Sequence, residues 1–156
     1  MRRKVSAGVL LFRRRDLQLE VLLGHPGGPF WSKKDKGAWS IPKGELDSDE
    51  DPLTGAIREF EEETGFRPSG EFIQLPAITQ AGGKLVLAWA VQGDLEASSI
   101  RSNTFSLEWP PRSGKVLQFP ELDRAEWFSL AEARNRLLVG QRPLLDALLE
   151  TLEETN

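Results

Sequence analysis

Glu59, Glu62 and Glu63 stand at helical spacing inside GELDSDEDPLTGAIREFEEETGF, residues 44–66, where nine of 23 side chains are carboxylates. At about 100° per residue, Glu62 falls near −60° and Glu63 near +40° from Glu59, so the three share roughly a 100° arc of one helix face. Like charges one turn apart repel and weaken a helix. A hard divalent cation reverses that balance. Mg²⁺ and Mn²⁺ take oxygen ligands, and Mg²⁺ is commonly held by carboxylates together with substrate phosphates and water. The chemistry on offer is cation binding beside phosphate groups. The competing reading is a solvated acidic face, the usual fate of a charge run.

The elements that must carry these groups are legible in outline. A helix is expected over 52–64: Asp51 suits the N-cap, Pro52 the first turn and Gly65 the C-terminal stop. Leu53, Ile57 and Phe60 form an apolar stripe at i, i+4, i+7, on a different arc from the carboxylates. VSAGVLLF (5–12) and LQLEVLLG (17–24) read as a β-hairpin across RRRD, with Leu17, Leu19, Val21 and Leu23 alternating onto one face. HPGGPFWSKKDKGAW (25–39) is rich in Gly and Pro and reads as a loop, which makes His25 a plain loop residue. WSIP (39–42) suits a short strand. EFIQLPAI (71–78) and KLVLAWAVQ (84–92) suit two more around an AGG turn, and TFSLEW (104–109) and RAEWFSL (124–130) are shorter β candidates. The intervening PPRSGKVLQFPELD reads as loop. SLAEARNRLL (129–138) opens with Ser129 and carries Glu132 three residues on, a capping box. RPLLDALLETL (142–152) is an amphipathic helix. No repeat or linker divides the chain, so one domain over 1–156, a mixed sheet with packed helices, is expected.

The acidic stretch also fits a longer pattern. Gly44 is followed after five residues by Glu50, after seven more by Arg58-Glu59, then Phe60, any residue, Glu62-Glu63, any residue, Gly65 and Phe66. At average residue usage, chance fulfilment at a given start is on the order of one in a billion. This is the Nudix box, and the chain resembles the Nudix hydrolase family. SAGVLLF, GAWSIPKGE and RAEWFSLAEA extend the resemblance on both sides of the box. It implies an α/β/α sandwich in which the box forms a loop–helix–loop. It implies Glu59, Glu62 and Glu63 as ligands of Mg²⁺ or Mn²⁺, often with the Gly44 carbonyl, and Arg58 with Glu50 as an ion pair that braces the loop. The implied reaction is hydrolysis of a nucleoside diphosphate linked to another group. Many members carry a distal base on a late loop, and Glu121, six residues before Trp127, matches that placement. Asp123 and Glu126 lie close by with the same chemistry, and Glu62 or Glu63 could take the base role instead. Glu61 is an unspecified position and should face solvent.

Composition limits the alternatives. Apolar residues at 39% and charged residues at 28% describe a globular chain. A net charge of −4 disfavours a nucleic-acid or anionic-membrane surface. The absence of cysteine excludes disulfides, thiolate metal sites and a cysteine nucleophile, and a single histidine excludes a His-rich metal centre. No apolar run is long enough to span a bilayer, and the basic start with its short apolar segment does not read as a signal peptide. A cytoplasmic protein is the expectation. Candidate substrate contacts are Trp31, Lys43, Arg112 and Lys115, because aromatic rings stack on bases and cations meet phosphates. GAWSIPKGELDSDEDPL resembles the equivalent stretch of Nudix enzymes acting on nucleoside triphosphates or dinucleoside polyphosphates. A small nucleotide is thus the expected partner. Nucleotide sugars or other nucleoside diphosphate derivatives are the alternative substrates, and a nucleotide-sensing module without catalysis is the rival of another class.

Overall fold

Val5–Arg15 (β1) is buried on both faces over most of its length, which explains its continuous apolar run. Ala7, Val9 and Leu11 point into one apolar cluster, while Leu10 and Phe12 point into a second on the opposite face. The computed structural model describes residues 4–154. The basic start at residues 1–3 lies outside the described residues.

β1 pairs antiparallel with Gln18–Pro26 (β2) and with Lys43–Glu45 (β3), and parallel with Lys84–Gln92 (β6). Ile73–Gln74 (β4) and Ile78–Gln80 (β5) pair with β6, and Leu122–Ser129 (β9) pairs with β2. The seven-stranded sheet therefore runs β4-β6-β1-β2-β9, with β3 and β5 as short additions. Pro52–Thr64 (α1) covers one face through Ala56 and Phe60, against Val9, Leu22, Trp89 and Val91. Leu130–Arg136 (α2) and Pro143–Glu154 (α3) cover the other through Ala133, Leu144, Leu145 and Leu148, against Leu23, Trp39 and Phe128. The result is the α/β/α sandwich with a mixed sheet.

Several local expectations change. Thr104–Glu108 (β7) pairs with Val116–Pro120 (β8) in a separate two-stranded sheet, so a segment read as loop holds a strand. VLQFP lacks alternation against water; its partner strand supplies the reason to be extended. Residues 39–42 contribute only isolated bridges, Gly24 to Ser40 and Trp39 to Leu137, and the strand proper begins at Lys43. The 71–78 run is split into β4 and β5 around Leu75–Ala77, where Pro76 cannot donate to a ladder. Leu17 belongs to no strand face: it is a fully exposed turn residue with φ 66°.

Candidate active site

The sequence builds α1 from its ends. The Asp51 carboxylate accepts from Thr54 N–H, Pro52 opens the first turn, and Gly65 closes the helix with φ 81°, donating its N–H to the Glu61 carbonyl. The sheet-facing stripe runs through half-buried Leu53 and buried Ala56 and Phe60; Ile57, also half-buried, stands outside the apolar cluster, a correction to the expected stripe. That rotation turns Glu63 toward the sheet, where it is buried, and leaves Glu59 half-buried and Glu62 exposed. The acidic arc thus grades from interior to solvent. Glu61, at the unspecified position, is exposed.

Segment 100–103 completes the helix terminus. The last carbonyls of a helix have no partner within it. Here Glu62 O accepts from Asn103 N–H at 2.8 Å and Thr64 O from Arg101 N–H at 2.8 Å. Asn103 O then accepts from Glu121 N–H at 2.8 Å, so the two residues that flank the β7–β8 hairpin are joined to each other. This relay brings Glu121 to the acidic face of α1. A cavity of about 290 Å³ is lined by Lys43, Gly44, Glu45, Glu59, Glu62, Glu63, Asn103 and Glu121.

Gly44 is required by close approach: a Cβ there would overlap the Glu59 carboxylate. Arg58 donates two parallel bonds to Glu50, at 2.7 and 2.8 Å, in fork geometry. Its Nη1 also donates to Glu59 at 2.9 Å and to Glu62 at 3.2 Å. Those hydrogen bonds from Arg58 hold the Glu50 carboxyl below the usual range, and Glu50 in turn holds the Arg58 guanidinium still more firmly protonated.

The remaining carboxylates are less well compensated. Burial pushes the Glu63 carboxyl up to about 9; Glu59 and Glu121 add repulsion, while Lys43 acts the other way. Burial likewise raises Glu59, against the pull of Arg58. Glu121 is exposed as a residue, yet the cavity walls desolvate its carboxyl enough to raise it. Lys43 is lowered by burial, with Glu63 and Glu59 opposing. Five carboxylates facing one cavity with one ammonium are a donor set that fits a hard divalent cation. Among the described residues no three carboxylate or imidazole groups are already gathered at metal-ligand spacing. Arg58 stands between Glu59 and Glu62 while its fork holds Glu50.

The other expected residues lie apart. Trp31 packs against the core on the far side of the sheet, with the Lys34 ammonium 5.1 Å from its ring centre. Arg112 and Lys115 lie at the tip of the β7–β8 hairpin, and neither lines the cavity. Of the three late carboxylates, Glu121 alone lines it: Asp123 is bound to His25 and Glu126 pairs with Arg124. Asn103 and Glu45 were not expected there. Glu45 could have been inferred from its place beside Gly44, whereas Asn103 has no sequence signal, because its place depends on which loop caps α1.

Residues 2–148 match the NUDIX domain family, and the chain belongs to it. The chain is 35% identical over 77 residues to Nudix hydrolase 7 of Arabidopsis thaliana, covering 49% of this chain and 25% of that protein. It is 38% identical over 60 residues to an RNA pyrophosphohydrolase of Xylella fastidiosa, covering 38% of this chain and 30% of that one. The matches therefore span about a quarter to a third of those relatives. Among solved structures, the NUDIX domain of Shewanella oneidensis NrtR complexed with ADP ribose matches with TM-score 0.68 at 20% identity, over 97% of this chain and 90% of that one. A binary complex of the C. elegans Ap4A hydrolase matches with TM-score 0.63 at 22% identity, over 97% and 98%. These two likenesses establish the shared fold. Among the described residues no helix is long and apolar enough to cross a membrane.

Proposed function

We propose that this chain is a divalent-metal-dependent pyrophosphohydrolase that cleaves a nucleoside triphosphate or a dinucleoside polyphosphate. The observation that carries the reading is the single cavity uniting Glu59, Glu62, Glu63 and Glu121 with Lys43. Glu59, Glu62, Glu63 and the Gly44 carbonyl would hold Mg²⁺, with Mn²⁺ as a substitute. A bound cation of this kind polarises the phosphoanhydride and lowers the pKa of water. Lys43, facing the same space, is placed to meet a phosphate oxygen. Arg58 keeps the 44–50 loop on the helix through its fork on Glu50. Glu121 lines the same cavity and would take a proton from the attacking water. An Ap4A hydrolase and an RNA pyrophosphohydrolase among the similar proteins are compatible with a phosphoanhydride substrate.

The test is a panel of nucleoside triphosphates, dinucleoside polyphosphates, nucleotide sugars and ADP-ribose, each assayed with Mg²⁺ and Mn²⁺, with products identified. Cleavage confined to the sugars and ADP-ribose would move the substrate to the nucleoside diphosphate derivatives. Tight binding without product from any of them would make the chain a nucleotide-sensing module. For Glu121→Gln, a base role requires turnover to fall about 10²–10⁴-fold with metal dependence unchanged. A fall below about threefold, small against that contribution, returns the role to Glu62 or Glu63.

A further inference from the structure

His25, the one histidine in the sequence, is fully buried at the end of β2, and neither the metal-binding carboxylates nor the loop brace uses it. It is not the plain loop residue its Gly- and Pro-rich surroundings suggest. Its Nδ1 lies 2.9 Å from a carboxylate oxygen of Asp123, and its Nε2 lies 2.6 Å from the carbonyl oxygen of Lys34. A carbonyl and a carboxylate only accept, whereas a neutral imidazole donates from one nitrogen alone. Both contacts are hydrogen bonds only when the ring carries two protons.

The backbone is arranged to create this contact. Along the β2–β9 ladder His25 pairs with Arg124, but Pro26 pairs with Leu122, so Asp123 is the extra residue of a bulge. Bulges re-aim a side chain and occur beside active sites. The surrounding charges are otherwise matched. On β9, Arg124 pairs with Glu126 and lies 5.1 Å from the Trp39 ring centre. On the loop after β2, Asp35 binds Arg136 of α2 and accepts from the Trp39 indole N–H, and the Lys34 ammonium stacks on Trp31. His25 is the only ion-pair partner of Asp123 among the described residues.

We propose that His25 is a doubly protonated positioning residue, tying the 27–37 loop and the start of β9 together beneath Glu121. Asp123 lies two residues beyond Glu121, whose carbonyl accepts from Gly27 N–H at 3.0 Å and whose own N–H donates to Asn103. Loss of one ring proton removes one of the two side-chain ties and loosens this backbone. The consequence for turnover rests on the role proposed for Glu121; the tie itself does not.

The decisive variant is Asp123→Asn. Its carboxamide can donate to Nδ1 while Nε2–H still serves Lys34 O, so a neutral ring keeps both contacts. Ring-nitrogen NMR of the full chain needs no assignment, since there is one histidine. Spectra are taken from about pH 5 to 8, the window in which histidine charge is ordinarily decided. In wild type both ring nitrogens should be protonated at neutral pH, and in Asp123→Asn only Nε2. As the wild-type ring loses its proton, hydrogen-exchange protection of the Gly27 and Glu121 amides should drop about tenfold relative to Asp123→Asn at the same pH, a local opening rather than global unfolding. kcat should fall in parallel, with KM unchanged. A wild-type ring that is neutral at pH 7, or protection that ignores the ring titration, overturns the tie. If protection follows the ring but kcat does not, the tie stands and it is the role of Glu121 that fails.

Discussion

Arg13 on β1 of the central sheet and Arg58 on α1 each gather carboxylates, and they do so to different ends. Arg13, near the C-terminal end of β1, donates to Glu20 and to Asp94, each at 2.8 Å, and its guanidinium lies 4.0 Å from the Trp127 ring centre. Arg14 and Arg15 follow in the sequence, so positive charge is abundant there. Arg58 donates to Glu50, Glu59 and Glu62, with Glu63 and Glu121 close behind. Some six residues of β1 separate Arg13 from Ala7, the partner of Gly44, a span of about 20 Å. In the first cluster each carboxylate has its arginine partner, and the cluster reads as structural. The second keeps a surplus of carboxylate, including the buried Glu63. Surplus charge of one sign in a cavity, rather than ion pairing as such, is what marks a place for a ligand of the other sign.

The comparison breaks most readily at Glu62. Glu62→Gln should leave the melting temperature of the metal-free protein within about a degree or two, since surface substitutions usually lie within ±0.5 kcal/mol. Turnover at saturating Mg²⁺ should fall by about two orders of magnitude or more, as for loss of a group that stabilises developing charge. Near-normal turnover would make the α1 cluster as structural as the Arg13 cluster.

Substituting each arginine sharpens the contrast. Arg58→Ala strands the partly buried Glu50 and should cost about 1–3 kcal/mol in urea unfolding, together with activity. Arg13→Ala should cost about 1–2 kcal/mol through lost stacking and hydrogen bonds, with kcat unchanged. Equal losses of kcat in the two variants would remove the distinction.

The smallest effect is the pH dependence of the Arg13 cluster. Hydrogen bonding from Arg13 holds Asp94 below the usual range in the folded chain. A depressed carboxyl contributes stability above its unfolded pKa and loses it as pH falls through the folded one. Asp94 is largely exposed, so the contribution is about 0.5 kcal/mol. Asp94→Asn should flatten the acid limb of the stability profile by that amount in low salt. A profile identical to wild type would mean that the pair contributes nothing measurable.

The contrast between the clusters was half legible. The caps of α1 and the Arg58–Glu50 pair each lie within eight residues, the 44–66 spacing lies in one continuous segment, and local rules read them well. The Arg13 cluster joins residues 81 apart, and no periodicity announces Asp94. The same reason hid Asn103 and His25. Each is defined by a partner that only the packed sheet brings near. β8 was hidden because Gly114 precedes and Pro120 ends a run whose extended form depends on β7. Trp31, Arg112 and Lys115 have the residue types that suit a nucleotide, but type alone does not say which side of a sheet a loop reaches.

The hydrogen bond from Glu121 N–H to Asn103 O also bears on how such a domain can diversify. It closes the neck of the β7–β8 hairpin, so everything from Thr104 to Pro120 enters and leaves the domain at one pinned point. Lengthening a loop whose ends are already held together changes its closure entropy only slowly, by about 0.6 kcal/mol per doubling. The hairpin is thus an exchangeable cassette. Its outer part can be shortened, extended or replaced while the neck keeps Glu121 in register with the carboxylates of α1.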